Sequence, residues 1–463
     1  MIELEAARDL DAAALPATVL ELARGFADEG GRLLVVGGWV RDALRGLTSK
    51  DLDLEVYGLP AERVDAALEA RGFTPPVGRQ FAVWRHTGEG IDVALPREEA
   101  ASTADPVEAF ARAAKARDLR INAMGFDPLS GQVLDPLDGR GDLSAGNLRA
   151  ADLETFGEDP LRVLRVARLA ASLEATPDDA LIALCRRLDL SRVPAERLAR
   201  ELDRMLLELT APSKALEWLA RLGQLGVFPP IDSLRDVPQD PEWHPEGDVF
   251  VHTGRVIDCA SELARTERLA EEPRAVLLWS ALCHDLGKPR TTEVGKDGRV
   301  RSLAHDIEGE SITRDWLSSL RLSSARIAAV TVLVRYHLAP ALYVKNGAKA
   351  RGYRRLARKL AAGNVTPIDL ERVARADHLG RTTPDALEGR FDEGHVFLEA
   401  ARAAFVETGP RDDVVKAAAL MQRGIAPGPE LGRLLDRARV LQDETGSQDE
   451  ADLVARVLAE RED

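Results

Sequence analysis

The chain has 463 residues, a formal net charge of −15 and three cysteines, and aromatic residues make up only 5% of it. Cys185, Cys259 and Cys283 lie far apart, which excludes a disulfide framework and fits a reducing compartment. The acidic start MIELEAARDLDAAAL lacks the basic-then-apolar pattern of a leader, and no apolar run approaches the length of a membrane span, so a soluble, cytoplasmic protein with no membrane partner is expected. The length suggests about three domains, and plentiful Ala, Leu, Arg and Glu point to a mostly helical chain.

Residues 1–30 read as an amphipathic helix ending near Gly30 and Gly31. The stretch LLVVGGWVRDALRGLTSKDLDLEV (33–56) follows. Leu33–Val36 reads as a buried strand that stops at glycine. Gly37 and Gly38 carry no Cβ, so a polyanion can approach the backbone, and the next helix aims unsatisfied N–H groups at that turn. Arg41 adds a full charge. Asp51 and Asp53 stand two apart on the next strand, so their carboxylates leave one face. Paired carboxylates beside a phosphate cradle are suited to holding Mg²⁺ for in-line nucleotidyl transfer.

LDLEVYG (52–58), FAVWRHT (81–87) and GIDVALP (90–96) read as strands, the last two joined by Gly-Glu-Gly as a hairpin. Asp92 alternates outward from Ile91 and Val93. From residue 156 the pattern is helical almost throughout, with proline-rich punctuation between 229 and 245.

The series GG-x-V-R-D-x-L-x-G followed by DLDLEV resembles the head of the class II tRNA nucleotidyltransferases, the CCA-adding and poly(A) polymerase-like members of the polymerase-β-like superfamily. The resemblance implies an α+β head followed by an all-α neck, body and tail. It makes Asp92 a third metal-face carboxylate beside Asp51 and Asp53. KARDLRINAMGFD (115–127) resembles the next block, with Ala116 where an arginine often stands. There Arg117 would contact the incoming nucleotide, and Asp118 and Asn122 would fix the sugar pocket. DPLDGRGDL (135–143) resembles a turn-rich segment at which the head flexes.

FGEDPLRVLRVARLAA (156–171) places Pro160 in the first turn of a helix, with Arg162, Arg165 and Arg168 on adjoining parts of one face. By itself that is a capped helix with a solvated basic stripe. The resemblance implies that Asp159 and Arg162 read the Watson–Crick edge of the incoming base, with Arg165 holding phosphate or orienting the pair. Cytosine N4–H₂ needs an acceptor, and its O2 and N3 accept from a guanidinium.

One departure bears on the reaction. Complete CCA-adding relatives carry a glycine-rich basic loop after the third carboxylate. Here the segment from Arg97 to Arg117, REEAASTADPVEAFARAAKAR, is short and has no glycine. In the family such loss marks enzymes that add only CC, which favours a CC-adding enzyme. The alternative is a complete CCA-adding enzyme using CTP and ATP; a poly(A) polymerase is a more distant one.

A second constellation follows. Six of the eight histidines lie between 244 and 378. Adjacent His284 and Asp285 offer nitrogen and oxygen to one divalent metal. The order His252, His284-Asp285, His305, His337, Asp377 resembles the HD phosphohydrolases and the nucleotidyltransferases that carry an HD domain. His244 precedes the series in HPEGDVFVHT. The resemblance implies a transition metal such as Ni, Mn or Fe, and hydrolysis of phosphate mono- or diesters such as 2′,3′-cyclic ends.

No Asp or Glu occurs between Trp316 and Ile368, where ten Arg and Lys residues from Arg321 to Lys359 make a candidate phosphate-contacting surface. MQRGIAPGPELGRLL (421–435) resembles the family's tail block, which grips the tRNA elbow.

The expected organisation is a nucleotidyltransferase head (1–150), a helical neck and body (151–240), an HD domain (241–400) and a helical tail (401–463). The expected partners are tRNA, held at its acceptor stem and elbow, and CTP, with ATP if CCA is completed. Two readings from other classes stay open: a phosphohydrolase with a degenerate head, and a non-catalytic RNA-binding protein.

Overall fold

The computed structural model describes residues 10, 15–48, 52–74, 83–86, 88–96 and 105–462. Asp51, the first residues of the 81–87 strand and the segment 97–104 lie outside the described residues. The chain divides into two compact units: residues 1–193 with 218–224, and residues 194–217 with 225–463.

The first unit is built on a six-stranded sheet of order β3-β4-β2-β1-β5-β6. The strands are β1 (Arg32–Val36), β2 (Leu52–Tyr57), β3 (Val83–His86), β4 (Ile91–Ala94), β5 (Gly125–Phe126) and β6 (Val133–Leu134). β2 runs parallel to β4, and the other pairs are antiparallel, including the expected β3–β4 hairpin. Beyond Arg32, β1 is apolar because both faces are covered. Leu33 and Val35 pack with Phe26 of α1 (Ala17–Asp28) and Trp39 of α2 (Gly38–Leu44). Leu34 and Val36 pack with Phe110 of a helix that covers the opposite face, α3 (Pro106–Lys115). Asp105 caps α3 by accepting from the Val107 N–H, with Pro106 at its first position. β2 alternates instead: Leu52, Leu54 and Val56 enter the core, while Asp53 faces outward.

Helix α4 (Arg162–Leu173) starts two residues after Pro160, because a short 3-10 turn at Phe156–Glu158 precedes it. Arg162 and Arg168 are buried, so the solvated basic stripe that spacing alone suggests is not formed.

The second unit is helical. α5 (Val249–Thr266), α6 (Glu271–Cys283), α7 (His305–Ser319), α8 (Ser324–Tyr336) and α10 (Pro367–Gly380) pack around a shared core. Trp279 and Trp316 anchor it with ring centroids 5.9 Å apart. Stretch Ser324–Lys345 meets the length and apolarity of a membrane span, contrary to the expectation from sequence. Its apolar residues Val330, Leu333 and Val334 are core, and Arg335 pairs with Asp306. A smaller cluster in the tail joins α11 (Pro429–Thr445) to α12 (Glu450–Glu462) through Leu434, Leu441, Leu453 and Val457.

Candidate active site and metal centre

In the first unit the polar edge of the sheet gathers the predicted head residues. The parallel register sets Asp53 opposite Asp92, so the two carboxylates leave one face of the sheet. Gly37 has φ 76°, a left-handed conformation suited to glycine. A Cβ there would lie 3.4 Å from Arg117 Nη1 and 3.6 Å from Asp53 Oδ2. The bare turn, the carboxylate and the guanidinium thus border one small space. Arg117 Nη2 donates to Glu55 Oε1 at 2.7 Å, which aims the arginine, and Tyr57 donates to the same carboxylate. Burial disfavours the Arg117 charge, but Glu55, Tyr57 and Asp118 together more than offset it and hold its pKa above the ordinary value.

A second network stands behind this edge. Arg41 donates to Asn122 Oδ1 at 2.8 Å and is bidentate to Asp42, so it ties α2 to the Arg120–Asn122 turn. Asn122 donates to Asp118 Oδ1 at 3.0 Å, and Arg165 Nε donates to Asp118 Oδ2 at 2.7 Å. Burial alone would raise the Asp118 pKa, yet Arg165, Asn122 and the Leu119 N–H hold it at about 2. Arg162 is only 7% exposed and donates to the Thr155 and Ala116 carbonyls. Asp159 is half-buried and accepts from the Leu161 N–H. The Asp-x-x-Arg pair therefore sits where the 156–162 turn meets the end of α3.

In the second unit, His252, His284, Asp285, His305, His337 and Asp377 all meet. His252 Nε2 is 3.0 Å from Asp377 Oδ1, and His284 Nε2 is 3.1 Å from Asp285 Oδ2. His305 Nε2 is 3.4 Å from Asp285 Oδ1 and 3.3 Å from His337 Nε2. The opposite ring nitrogens of three of these histidines are occupied. Nδ1 of His284, His305 and His337 each meets a carbonyl three residues earlier, those of Ala281, Ser302 and Val334, at 2.7 Å. This fixes the tautomer and turns the Nε2 lone pairs inward, as metal-binding histidines require.

The donor set fits a divalent cation. His284 Nε2 and Asp285 Oδ2 are buried with no well-formed hydrogen-bond partner, a costly state that a cation would relieve. Burial, reinforced by the neighbouring imidazoles, pushes His337 down to about 4, so it is neutral and able to ligate. Burial also disfavours the Asp285 and Asp377 charges. His284 and Lys288 beside the first, and Arg381 and His252 beside the second, nonetheless hold both well below the carboxylate range. Gly287 lets the two halves approach, since a Cβ there would fall 2.7 Å from the Gly309 nitrogen and closer still to the His305 carbonyl.

Three contributors were not foreseen. Glu246 accepts from His252 Nδ1 at 2.7 Å and lies 2.9 Å from His244 Nδ1, bracing the first ligand from behind. Lys288 Nζ forms an ion pair with Asp285 Oδ2 at 2.7 Å and donates to Gln239 Oε1 at 2.7 Å. Arg381 lies 3.7 Å from Asp377. Glu246 belongs to the same HPEG run as His244, and Lys288 follows Asp285 by three positions; that proximity was the available signal. A cavity of about 230 Å³ opens over the ligands, lined also by Trp243, Lys288 and Arg381.

The basic tract is largely neutralised within the unit. Arg321 pairs with Glu196, Arg326 with Asp203 and Glu272, and Arg335 with Asp306. On α9 (Ala350–Leu360), Arg351 pairs with Glu444 and Arg358 with Asp443 and Asp413. Lys345, Lys349 and Arg355 are exposed and have no acidic partner among the described residues.

The sequence matches the Poly A polymerase head domain over residues 33–149 and the HD domain over residues 249–382. It is 37% identical over 327 residues to the multifunctional CCA protein of Cupriavidus metallidurans, spanning 66% of this chain and 74% of that protein. Among solved structures, a CCA-adding enzyme with ATP superposes with a TM-score of 0.60 at 18% identity, over 97% of this chain and 96% of the other. The Thermotoga maritima CCA-adding enzyme complexed with tRNA superposes with a TM-score of 0.58 at 18% identity, over 96% of each.

Proposed function

The chain belongs to the tRNA nucleotidyltransferases of the CCA-adding family that carry an HD domain, and on that footing we propose that it rebuilds the whole CCA end of tRNA from CTP and ATP. One observation carries the choice of CCA over CC: the relative at 37% identity, covered over 74% of its length, is named a multifunctional CCA protein. The short 97–117 segment argued for CC alone. Its first part is outside the described residues, and the rest is the capped helix α3, so loop length carries less weight than the relatives do.

In the proposed reaction the tRNA 3′-hydroxyl oxygen attacks the α-phosphorus of the nucleotide. A new P–O bond forms, the bond to the bridging β-phosphate oxygen breaks, pyrophosphate leaves, and the hydroxyl proton passes to solvent. Asp53 and Asp92, with Asp51, would hold Mg²⁺, which supplies charge neutralisation and acidifies the attacking hydroxyl. Gly37 and Gly38 admit the triphosphate to the backbone, and Arg117 meets its charge. Arg41, Asn122, Asp118 and Arg165 hold that wall in place. Asp159 and Arg162 present an acceptor and a donor to the base edge; Arg162 keeps its plane through the Thr155 and Ala116 carbonyls. Lys345, Lys349 and Arg355 would be available to tRNA phosphates.

The experiment incubates full-length protein with Mg²⁺ and tRNA lacking its 3′ end. CTP, ATP or both are supplied, and products are resolved at single nucleotides. Three additions with both nucleotides support the proposal. Two additions with CTP, unchanged by ATP, would make this a CC-adding enzyme.

A second activity is favoured by a separate observation, the convergence of imidazole and carboxylate donors in the HD site. We propose that it hydrolyses phosphate esters, with His252, His284, Asp285 and Asp377 holding a divalent metal such as Mn, Ni or Fe. His305 and His337 stand beside them as ligands or as partners of the phosphate.

A further inference from the structure

Trp243 is 53% exposed, yet it lines the cavity over the HD ligands. Large aromatic surface left in water at the mouth of a charged cavity invites a ligand with a flat face. The side chain is not on a loose loop. Its own N–H and that of His244 donate to the Asp240 carbonyl at 3.1 and 2.9 Å. Asp240 Oδ1 accepts from the Glu242 N–H. Arg299, on the turn between β7 (Thr292–Val294) and β8 (Val300–Ser302), then clasps Asp240 at 2.8 Å and Glu242 at 2.6 Å. The indole is thus presented on a turn braced from both sides.

The opposite lining is cationic. Lys288 and Arg381 border the same cavity. A divalent cation at the ligands together with Lys288 and Arg381 outweighs the charges of Asp285, Asp377 and Glu246, and an anion fits. The cavity, about 230 Å³, has room for a phosphate and the ribose that carries it. A base attached to that ribose would emerge at the rim, where Trp243 stands.

We propose that Trp243 is the base-stacking residue of the HD site, and that its ligand is a terminal ribonucleoside phosphate whose phosphate enters the cavity while its base lies on the indole. Stacking is tolerant of base identity, so all four bases are accepted and a phosphate ester without a base is not favoured. The inference rests on reading the HD site as a phosphate-ester site.

The test labels the full-length protein with 5-fluorotryptophan and records ¹⁹F spectra with Mg²⁺ present. The chain has six tryptophans. The resonance missing from Trp243→Phe assigns the one of interest. Adenosine 3′-monophosphate, or a short RNA ending in a 3′-phosphate, should move that resonance saturably. Orthophosphate and ribose 5-phosphate should leave it in place, and Asp285→Ala should abolish the shift. Which probe binds tighter tells free nucleotide from RNA end. Trp243→Ala should weaken adenosine 3′-monophosphate binding about tenfold, and Trp243→Phe much less. If the resonance stays fixed while phosphate is released from adenosine 3′-monophosphate and p-nitrophenyl phosphate alike, stacking is overturned and the phosphate-ester reading stands. If it stays fixed and neither is hydrolysed with Mg²⁺, Mn²⁺ or Ni²⁺, both fail.

Discussion

Asp92 stands directly opposite Asp53 across the parallel pairing of β4 and β2, so residues 39 positions apart present their carboxylates side by side. On the proposed function the two would jointly hold one cation. Asp53→Asn and Asp92→Asn should each cut nucleotide addition at least about 100-fold, with CTP and ATP alike. Steady-state incorporation on tRNA checks this. A loss confined to one nucleotide would mean that the pair selects bases instead of serving the common chemistry.

The HD ligands belong to a different unit of the chain. Asp285→Ala should remove bound metal from that unit, read by elemental analysis, and leave CMP and AMP addition within about twofold. Asp53→Asn should do the reverse. Addition lost with Asp285 would put the transfer chemistry in the HD site.

Asp118 links the Arg117 segment to α4 through Arg165. Its carboxyl sits at about 2, against an ordinary 3.8. A carboxyl depressed by folding stabilises above its unfolded pKa, and that stability is lost as pH falls from about 4 through 2. The gap corresponds to about 2 kcal/mol. Thermal unfolding should therefore show Asp118→Asn less stable than wild type at pH 6, with the difference shrinking toward pH 2. A constant difference would assign the effect to lost packing.

Arg358 lies between Asp443 and Asp413, and Asp443 is only 3% exposed. Arg358→Met would strand a buried carboxylate, at a cost of about 3 kcal/mol. Amide exchange in 413–462 should quicken far more than in α5 or α10. Uniform quickening would deny the tail any independent opening.

Most of the site was legible because its spacing is local. The two-residue period of LDLEV placed Asp53 outward, and Asp92 followed from its own hairpin. The HD residues were found one by one, since each sits in a recognisable short run. What escaped notice was pairing over distance. The basic tract looked like an RNA surface because no acid lies within it, but its partners are Glu196, Asp203, Asp413, Asp443 and Glu444. No window on the sequence contains both halves. The spacing of Arg162 and Arg168 alone suits a solvated stripe, because helical period gives a face but not what covers it; both are buried.

Gly287 brings the backbone of the His284-Asp285 segment against the start of the helix that carries His305. Ligands twenty positions apart are thereby gauged by the thickness of a peptide, with no side chain between them to vary. Trp243 and Arg381 reach the cavity from other segments, outside that gauge. The centre and the rim are therefore separable under mutation: the rim can change while the proposed metal site keeps its dimensions, and an engineer seeking new selectivity should begin at the rim.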